Sequence, residues 1–506
     1  MKRRNFILSS LMAAGLSIKS AGNEKRNFKG SPFSLGVASG DCTTDGFVLW
    51  TRLAPDPSQP DGGLGRKEIP VSWILSRDPK MKKIVRSGWI SASDKLAHSV
   101  HIDISGLEPN QVYWYRFQCG DYFSRIGRTK TLPLFNNESD NLKFVTTSCQ
   151  NYAHGYFVAY DHMIADQPDF ILHLGDYIYD TSFGENFRRH ETESAPESLE
   201  EFRLRHALYK TEEHLQNAHA QIPFFTMIDN HDAVEDNSTE TIKKRTAAYQ
   251  AWYEHMPVRG FPFLGANEFR LHRNIKIGEL TEIKLLDSRQ FRSEREICDQ
   301  DLQSSLGFGN FRPQCDELFE KNRTMLGRAQ TDWLVENLRN NRASWNVIAS
   351  PGPFLPFRLE NNKKELRYIG AWDAYPENRQ EIINAIEISP GHPLVLSGDM
   401  HSFWAIDAKD DPFLNEKTEL IEFVGSSVSA NWPEPLSKPV RTNLKKNRQI
   451  KFYNGEKRGY FLHELNTDTW VATAKGVLST KDKKSKVLQL AKFLVEKGKP
   501  GFKRIG

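Results

Sequence analysis

The sequence predicts two domains in series, an all-β sandwich followed by a larger α/β layered domain. The chain has 506 residues, more than a single hydrophobic core usually supports, so two domains are favoured over one. Residues 31–135 contain short runs in which apolar and polar side chains alternate, as they do in strands buried on one face. From residue 142 onward, apolar strand-like runs alternate with helical segments, which is typical of α/β layers.

The composition excludes several classes of protein. Apolar residues make up 39% and charged residues 26% of the chain, which is enough to bury a large core and excludes disordered and fibrous chains. The formal net charge is +4, and residues 1–22 carry four basic and no acidic side chains. A chain cut after residue 22 would therefore be neutral, which gives no electrostatic reason to expect stable binding of nucleic acid or anionic membranes.

The first 22 residues read as an export signal. Arg3 and Arg4 belong to a basic start, and residues 7–18 form an apolar run of 12 residues. That run is too short to cross a bilayer, which takes about 20 residues. The paired arginines are typical of twin-arginine signals, with an ordinary secretion signal as the alternative. We therefore expect a periplasmic or secreted protein that uses the twin-arginine export machinery and has no transmembrane segment.

The segment 31–135 is predicted to form an immunoglobulin- or fibronectin-like sandwich. Strand-like runs such as residues 46–52 and 112–118 are separated by turns, and a small sandwich is the simplest architecture that buries one face of each. Residues 132–141, which contain Pro133, an Asn-Asn pair and a Ser-Asp pair, are the predicted linker to the second domain, which spans residues 142–506.

The five cysteines are candidates for disulfides, because an exported chain enters an oxidising compartment. Cys298 and Cys315 flank a glycine-rich stretch and could be joined. Cys42 and Cys119 lie in the first domain and could pair if their strands meet. The odd count leaves one cysteine over, which is Cys149 under these pairings.

Four strand-like runs of the second domain lead directly into loops rich in metal-ligand residue types. Ligands collect at the carboxyl ends of strands in α/β sheets, so these loops are expected to meet. Turn formation and helix capping are the alternative roles for their Asp and Asn residues. The loops are SCQN at 148–151, GDYIYD at 175–180, DNHD at 229–232 and GDMH at 398–401.

The residue types in these loops indicate two cations. Asp399 and His401 are close enough in sequence to serve one centre, and Asn230 offers a neutral oxygen to a hard cation. A thiolate at Cys149 and a phenolate at Tyr179 need a strongly polarising cation, for which ferric iron is the best candidate. Two metals about 3.5–4 Å apart lower the pKa of water and clamp a phosphoryl group. The sequence therefore predicts binuclear phosphoester hydrolysis.

Longer motifs surround these loops. They include FSLGVASGD at 33–41, LHLGDYIY at 172–179, LGRAQTDW at 326–333 and SGDMHSF at 397–403. The order GDxxY, NHD and GDxH resembles the calcineurin-like metallophosphoesterases, and the full set resembles the alkaline phosphatase D (PhoD-like) family along nearly the whole chain. The resemblance implies an exported phosphomonoesterase or phosphodiesterase whose second domain is an α/β layered metallophosphoesterase domain.

The resemblance also implies one ferric iron and calcium, with a zinc pair as the alternative. Asp176 would bridge to the calcium, Asn230 would be a further ligand of that second metal, and His231 would donate to the phosphate or the leaving group. The iron ligands would be Cys149, Asp176, Tyr179, Asp399 and His401.

The third loop departs from the family pattern. The family usually reads Trp-Asp-Asp-His-Glu, whereas residues 228–232 read Ile-Asp-Asn-His-Asp. Asn230 restores the pattern of the wider superfamily, and the shorter Asp232 could change the second metal or its affinity.

The sequence leaves alternative roles open for several residues and alternative functions open for the protein. Asp373 is either a turn residue or a ligand of the second metal, and Arg189, Arg289 and Arg292 are either phosphate clamps or ordinary arginines. Two other functions compete with the phosphatase: a diester-preferring or phospholipase D-like enzyme with the same site, and a surface binding protein with a degenerate site.

Overall fold

The computed structural model describes residues 28–134, 141–233, 239–260, 263–265, 268–295, 298, 310–361, 364–410 and 419–506. The predicted export signal, residues 1–22, lies outside these ranges. The described strands are β1 (Val37–Gly40), β2 (Phe47–Arg52), β3 (Ile69–Ser76), β4 (Ile84–Ala92), β5 (Ser99–Ile104), β6 (Val112–Cys119), β7 (Tyr122–Phe123), β8 (Gly127–Lys130), β9 (Leu142–Thr147), β10 (Phe170–His173), β11 (Phe224–Thr226), β12 (Phe263–Gly265), β13 (Glu268–Phe269), β14 (Arg273–Ile277), β15 (Thr281–Leu285), β16 (Phe311–Pro313), β17 (Trp345–Ser350), β18 (Arg358–Asn361), β19 (Lys364–Tyr368), β20 (His392–Ser397), β21 (Phe403–Asp407), β22 (Ile421–Val424), β23 (Ile450–Asn454), β24 (Arg458–Leu465), β25 (Thr469–Val477), β26 (Val487–Glu496) and β27 (Lys503–Arg504). The described α-helices are α1 (Ala159–Asp166), α2 (Leu199–Lys210), α3 (Glu213–Gln221), α4 (Thr239–His255), α5 (Gly327–Arg339), α6 (Pro376–Glu387) and α7 (Glu434–Asn443).

Two large sheets share one hydrophobic core. The ten-stranded sheet has the order β27-β26-β25-β24-β9-β10-β11-β1-β2-β5, and the seven-stranded sheet has the order β14-β15-β17-β20-β22-β21-β23. Strands β9, β10 and β11 run parallel in the first sheet, as do β15, β17, β20 and β22 in the second. Between the sheets, the rings of Trp345 and Trp470 meet with their centroids 5.6 Å apart.

Helices cover the outer faces of both sheets. Phe144 and Phe170 face the core between the sheets, whereas their chain neighbours Val145 and Ile171 pack against α1, α2, α3 and α4. Ile348 and the rest of its face of the seven-stranded sheet pack in the same way against α5 and α6. Strands buried on both faces read as continuous apolar runs, which is what the sequence shows from residue 142 onward.

Short capping motifs mark the helix starts. The side chain of Ser198 accepts a hydrogen bond from the backbone of Glu201, whose carboxylate accepts one in return from the backbone of Ser198, so α2 begins with a capping box. Pro376 occupies the first turn of α6, where its missing N–H costs nothing.

Three N-terminal strands belong to the ten-stranded sheet. β1 pairs in parallel with β11 where Gly40 faces Phe224, and β2 and β5 follow in antiparallel order. A Cβ at Gly40 would lie 2.4 Å from the carbonyl oxygen of Phe224 and 2.5 Å from that of Pro257, so only glycine allows this approach. The other N-terminal strands form a five-stranded sheet in the order β4-β3-β6-β7, with β8 paired to β6. The N-terminal segment is therefore all-β, and one of its sheets is continuous with the sheet of the second segment.

One of the two disulfides considered from the sequence forms. Cys298 and Cys315 are joined, with their Cα atoms 5.8 Å apart. The pairing of Cys42 with Cys119 is wrong, because both side chains are buried in the hydrophobic core and neither takes part in a disulfide. Burial, reinforced by the neighbouring Asp41, raises the pKa of the Cys42 thiol, which keeps it neutral. Within the described residues, no helix has both the length and the apolar character needed to cross a membrane.

Candidate metal centre

The four predicted loops meet at one end of the two sheets. Cys149, Asp176 and Asp229 follow the neighbouring parallel strands β9, β10 and β11, and Asp399 follows β20 of the other sheet. Ser148 forms a parallel bridge with Ser427, and its carbonyl accepts a 2.8 Å hydrogen bond from the backbone of Val428. This bridge fixes the loop after β9 to the segment that follows β22 in the second sheet.

Four side chains at this end project from an unusual backbone conformation. Cys149, Asp176, Asp399 and His401 all have positive φ angles, of 58°, 54°, 66° and 46°. Non-glycine residues in the left-handed region cost about 1 kcal/mol or more each, and such residues cluster at functional sites. The surrounding fold therefore holds these four side chains in place at a cost in stability.

One half of the centre combines sulfur, phenol, carboxylate and imidazole. The Tyr179 hydroxyl lies 3.1 Å from Asp176 Oδ2 and 2.8 Å from His401 Nε2. Cys149 Sγ lies 3.5 Å from the same Asp176 oxygen. Donor atoms of Cys149, Asp176 and His401 all lie within 4.8 Å of one another, a spacing that one cation can span.

The other half is a cluster of carboxylates. Oxygens of Asp176, Asp229 and Asp399 lie within 4.8 Å of one another. Arg289 Nε donates to Asp229 Oδ1 over 2.5 Å, and the Tyr368 hydroxyl donates to Asp399 Oδ2 over 2.7 Å. Asp229 Oδ2 is buried without a hydrogen-bond partner among the described residues. A cation would satisfy this oxygen and offset the repulsion between the carboxylates.

Burial alone would protonate much of this site. Burial raises the pKa of Asp229 well above its usual range, and Asp176 and Asp399 add to the rise while Arg289 opposes it. Burial and the neighbouring carboxylate of Asp176 likewise raise the pKa of Cys149 and Tyr179. A bound cation favours the ionised forms instead and reverses these directions. The donor set therefore fits a cation pair and is poorly satisfied by protein atoms alone.

His231 is held by an acid and an aromatic ring. Its Nδ1 lies 2.6 Å from Asp180 Oδ1, and its ring stacks on Tyr179 with the centroids 4.1 Å apart. Its backbone N–H donates to Asp176 Oδ1 over 3.0 Å. Although burial opposes the change, the hydrogen bond and charge of His231 lower the pKa of Asp180. The ring orientation is therefore fixed through Nδ1.

These residues surround a cavity of about 150 Å³, which is comparable in size to a phosphate group with a few waters. Cys149 and Tyr179 are fully buried beneath it. The structure thus brings all seven sequence-predicted site residues together. Five of them line the cavity directly, namely Asp176, Asn230, His231, Asp399 and His401.

Asp232 connects two of the loops and does not line the cavity. Its two carboxylate oxygens accept hydrogen bonds of 3.0 Å from the backbone N–H groups of Ile178 and Asp229. Burial and the charge of Asp176 raise the pKa of Asp232 to about 8. The short aspartate therefore ties the loop after β10 to the loop after β11.

The structure decides between the alternatives that the sequence left open for Asp373 and Arg289. Asp373 does not serve the second metal, because it is buried against arginines, with Arg379 Nη1 2.7 Å from its Oδ1. Arg289 does not face the cavity as a phosphate clamp, because Asp229 holds its guanidinium. Arg189 is exposed, and Arg292 is buried.

Sequence reasoning missed Asp229 and Tyr368 as parts of the site. Asp229 stands in the third loop, directly after an apolar run, and that position was the available signal. Tyr368 lies at the end of β19 in a separate three-stranded sheet, and no local motif marks it.

Comparison with known proteins identifies the family to which this chain belongs. A family model described as PhoD-like phosphatase matches residues 144–474, and a model described as the N-terminal domain of PhoD-like phosphatases matches residues 18–133. The chain belongs to the PhoD-like phosphatase family. Similar proteins include alkaline phosphatase D of Bacillus subtilis strain 168, which is 36% identical over an alignment of 534 residues covering 99% of this chain and 89% of that protein.

A solved structure titled "Structure of PhoD" resembles this PhoD-like phosphatase along its length. It superposes with a TM-score of 0.86 at 35% identity, covering 95% of this chain and 93% of the other. The predicted family and enzyme class are thereby confirmed. This PhoD-like phosphatase is a phosphoester hydrolase, and the alternative of a binding protein without activity is set aside.

Proposed function

We propose that this phosphatase hydrolyses phosphate esters outside the cytoplasm with one ferric iron and calcium at the cavity described above. The observation that carries the proposal is a group of three carboxylates, two of them buried and one half-buried, next to a buried thiol and a buried phenol, with one carboxylate oxygen unsatisfied. A hard cation suits the carboxylate half, and a strongly polarising cation suits Cys149 and Tyr179.

The proposed ligands follow the two halves of the centre. Asp176 lies in both halves and is the natural bridging ligand. Asn230 and Asp229 are proposed for calcium, with Asp229 added by its unsatisfied Oδ2. A zinc pair is the alternative for the same donors. The proposed iron ligands are Cys149, Asp176, Tyr179, Asp399 and His401.

The reaction we propose is an in-line displacement at phosphorus. When bound, the cations supply Lewis acidity toward the phosphoryl group and lower the pKa of water. The oxygen of an attacking water forms a bond to phosphorus and releases one proton to solvent, and the bond from phosphorus to the alcohol oxygen breaks. His231 gives the leaving oxygen a proton from Nε2, while Asp180 holds Nδ1 and stabilises the protonated ring. A proton from solvent restores the protonated ring of His231 for the next turnover. The products are the free alcohol and phosphate.

The finer fold and the location of the protein are part of this proposal. We propose that residues 31–135 form an immunoglobulin- or fibronectin-like sandwich, supported by the two N-terminal sheets. Residues 142–506 would form the layered metallophosphoesterase domain, supported by helices on the outer faces of two packed sheets. The paired arginines Arg3 and Arg4 support twin-arginine export to the periplasm or the medium.

Elemental analysis tests the metals directly. The purified protein should contain about one iron per chain, show a charge-transfer colour, and hydrolyse p-nitrophenyl phosphate and bis-p-nitrophenyl phosphate in a calcium-dependent way. Cys149→Ala and Tyr179→Phe should each remove or shift the colour. Cys42→Ala is the matched control, because it removes another buried thiol far along the chain from the site.

The outcomes separate the parts of the proposal. Zinc without iron would overturn the iron assignment and keep the enzyme. Equal colour in Cys149→Ala and Cys42→Ala would exclude Cys149 as a ligand. Absence of both metal and turnover in metal-replete buffer would contradict the proposed centre as a whole.

A further inference from the structure

A groove much larger than the metal cavity opens beside it. Its volume is about 1120 Å³, compared with about 150 Å³ for the cavity. Pockets that hold whole small molecules fall in the range of about 300–1,000 Å³. The groove runs between the start of α7, the end of β25 and the loop near Phe183.

The groove and the cavity share part of their lining. Phe183, Trp432 and Pro433 line both. The ring of Phe183 lies parallel to that of His401, with the centroids 5.8 Å apart. A phosphate ester with its phosphoryl group in the cavity would therefore extend its alcohol portion past Phe183 and Trp432 into the groove.

One buried histidine holds the two sides of this passage together. His154 Nε2 lies 2.6 Å from the carbonyl oxygen of Phe183, and His154 Nδ1 accepts a 2.9 Å hydrogen bond from the backbone N–H of Asn431. Since Nδ1 accepts, Nε2 carries the proton and donates. The Asn431 carbonyl is in turn 2.9 Å from His401 Nδ1. These hydrogen bonds connect the passage to His401, a proposed metal ligand. The passage therefore has this conformation without a bound substrate.

The groove walls are aromatic and polar with balanced charge. Trp432 and Tyr453 form an aromatic pair whose centroids are 6.1 Å apart. Trp432 Nε1 donates to Ser437 Oγ over 2.9 Å, which fixes the indole. Arg441 pairs with Glu456 over 2.9 Å, so these two charges offset each other.

The charged side chains of the groove lining are close to balance overall, with the acids Glu185, Glu434 and Glu456 and the bases Lys438, Arg441, Arg458 and Lys481. Lys481 faces Glu185, with 4.0 Å between Nζ and Oε2. The Arg458 guanidinium donates to the backbone carbonyls of His401, Ala430 and Gly455 and is buried. Such a lining gives little preference for a second anionic group and favours an uncharged occupant that offers ring faces and hydroxyl groups.

We propose that this groove is the subsite for the alcohol portion of the substrate, and that it selects phosphate esters of uncharged, ring-bearing alcohols such as sugars and nucleosides by stacking against Trp432. The inference rests on the proposed phosphoesterase function of the adjoining cavity. Stacking of a ring on an aromatic side chain changes affinity by roughly tenfold.

Three monoesters of primary alcohols test the subsite. Thymidine 5′-monophosphate, glucose 6-phosphate and glycerol 1-phosphate differ in the alcohol portion while their leaving oxygens are chemically alike. Release of inorganic phosphate gives kcat/KM for each. We expect at least one ring-bearing ester to exceed the glycerol ester by about tenfold or more, and the two ring-bearing esters distinguish a base from a sugar as the stacked group.

Variants of Trp432 test the residue assignment. Trp432→Ala should lower the ratio of kcat/KM for the ring-bearing ester to that for the glycerol ester about tenfold, whereas Trp432→Phe should keep most of the ratio. Trp89→Ala, which removes a tryptophan that is 72% exposed in β4, is the matched control and should leave the ratio unchanged.

Four outcomes would count against these proposals, and they are distinguishable. Equal kcat/KM for all three esters would overturn the subsite. An equal loss on all three in Trp432→Ala would also overturn it and assign Trp432 to support of His401 through Asn431. Hydrolysis of p-nitrophenyl phosphate without hydrolysis of these three would overturn the subsite and keep the phosphoesterase. No hydrolysis of any ester would contradict the proposed function itself.

Discussion

This protein contains one acidic and one basic cluster of ionisable side chains, and the two clusters differ in whether they keep their charge. The acidic cluster contains Asp176, Asp229 and Asp399 at the strand ends, beside a cavity. The basic cluster lies behind the ten-stranded sheet, where buried Lys210 sits 4.6 Å from the ring centroid of Trp50 and 3.2 Å from His219 Nε2. Lys210, Asp176 and Asp229 are buried and Asp399 is half-buried, so each group must either lose its charge or find a partner.

The basic cluster loses its charge. Burial lowers the pKa of Lys210 well below its usual value. Burial and neighbouring cations do the same to His206 and His255, whose rings stack with their centroids 4.9 Å apart. These groups are then neutral inside the core and require no ligand, although neither ring nitrogen of His206 has a hydrogen-bond partner among the described residues.

The acidic cluster is built so that it can keep its charge. It borders a cavity, Asp176 and Asp399 stand at strained backbone positions, and one oxygen of Asp229 has no partner among the described residues. The comparison teaches that burial by itself does not make a buried ionisable cluster functional. A cluster becomes a site when the fold holds it charged, unsatisfied and accessible at once.

The largest expected effect comes from the acidic cluster. Asp176→Asn removes the charge shared by both halves of the centre and should lower kcat/KM on p-nitrophenyl phosphate at least about 10³-fold, because cation binding supplies several kcal/mol of transition-state stabilisation. The matched control is Asp166→Asn, which changes a half-buried aspartate held by Lys475 and Tyr460 and should keep activity within about twofold. Activity of Asp176→Asn within tenfold of wild type would contradict the assignment of the acidic cluster as the functional one.

His231→Gln should reduce turnover by about 10²–10⁴-fold on an alkyl phosphate, the usual range for loss of a general acid. The loss should be much smaller on p-nitrophenyl phosphate, whose leaving group departs without a proton. His255→Gln, in the basic cluster, should lower stability and leave kcat/KM within about twofold. Equal losses of His231→Gln on both esters would exclude proton donation by this residue.

Asp232→Ala removes the acceptor of two backbone N–H groups that connect the loops after β10 and β11. We expect calcium affinity, measured by titrating activity with calcium, to fall about 10–100-fold, as for other residues that orient metal ligands. Saturating calcium should restore most of kcat. Asp161→Ala, which removes an acid paired with His214, is the control. Unchanged calcium affinity in Asp232→Ala would show that the loops hold their positions without it.

The smallest effect concerns the basic cluster and is one of stability. Because the pKa of Lys210 is lowered in the folded state, the unfolded chain binds one more proton at any pH between that lowered pKa and about 10.4. Stability should therefore rise with pH in this window by up to about 1.4 kcal/mol per pH unit, and Lys210→Met should remove that slope. Urea midpoints between pH 7.5 and 9.5 measure it, with the exposed Lys29→Met as the control. An identical slope in Lys210→Met would show that Lys210 stays charged when buried.

The sequence allowed the site to be predicted better than the fold around it. Cys149, Asp176, Asn230 and His401 stand in short motifs directly after apolar strands, so local pattern and the geometry of strand ends suffice to place them together. Tyr368 could not be found in this way, because it reaches the site from another sheet.

Long-range pairing explains the other misses. β1 joins the large sheet through a contact between Gly40 and Phe224, and nothing near either residue in the sequence signals this pairing. The incorrect pairing of Cys42 with Cys119 has the same origin, since shared membership of one domain does not fix the distance between two thiols.

The position of β9 determines when, relative to synthesis of the chain, folding of the large sheet can be completed. This strand carries the loop of Cys149, and it lies between β10 and β24. Thr146 in β9 bonds to His463 in β24, 317 residues away. A chain still emerging from the ribosome lacks that neighbour, so the sheet can be completed only after most of the polypeptide has been synthesised. A nascent chain therefore completes this sheet only at the end of translation or after it, which suits the proposed twin-arginine route because that route carries proteins already folded.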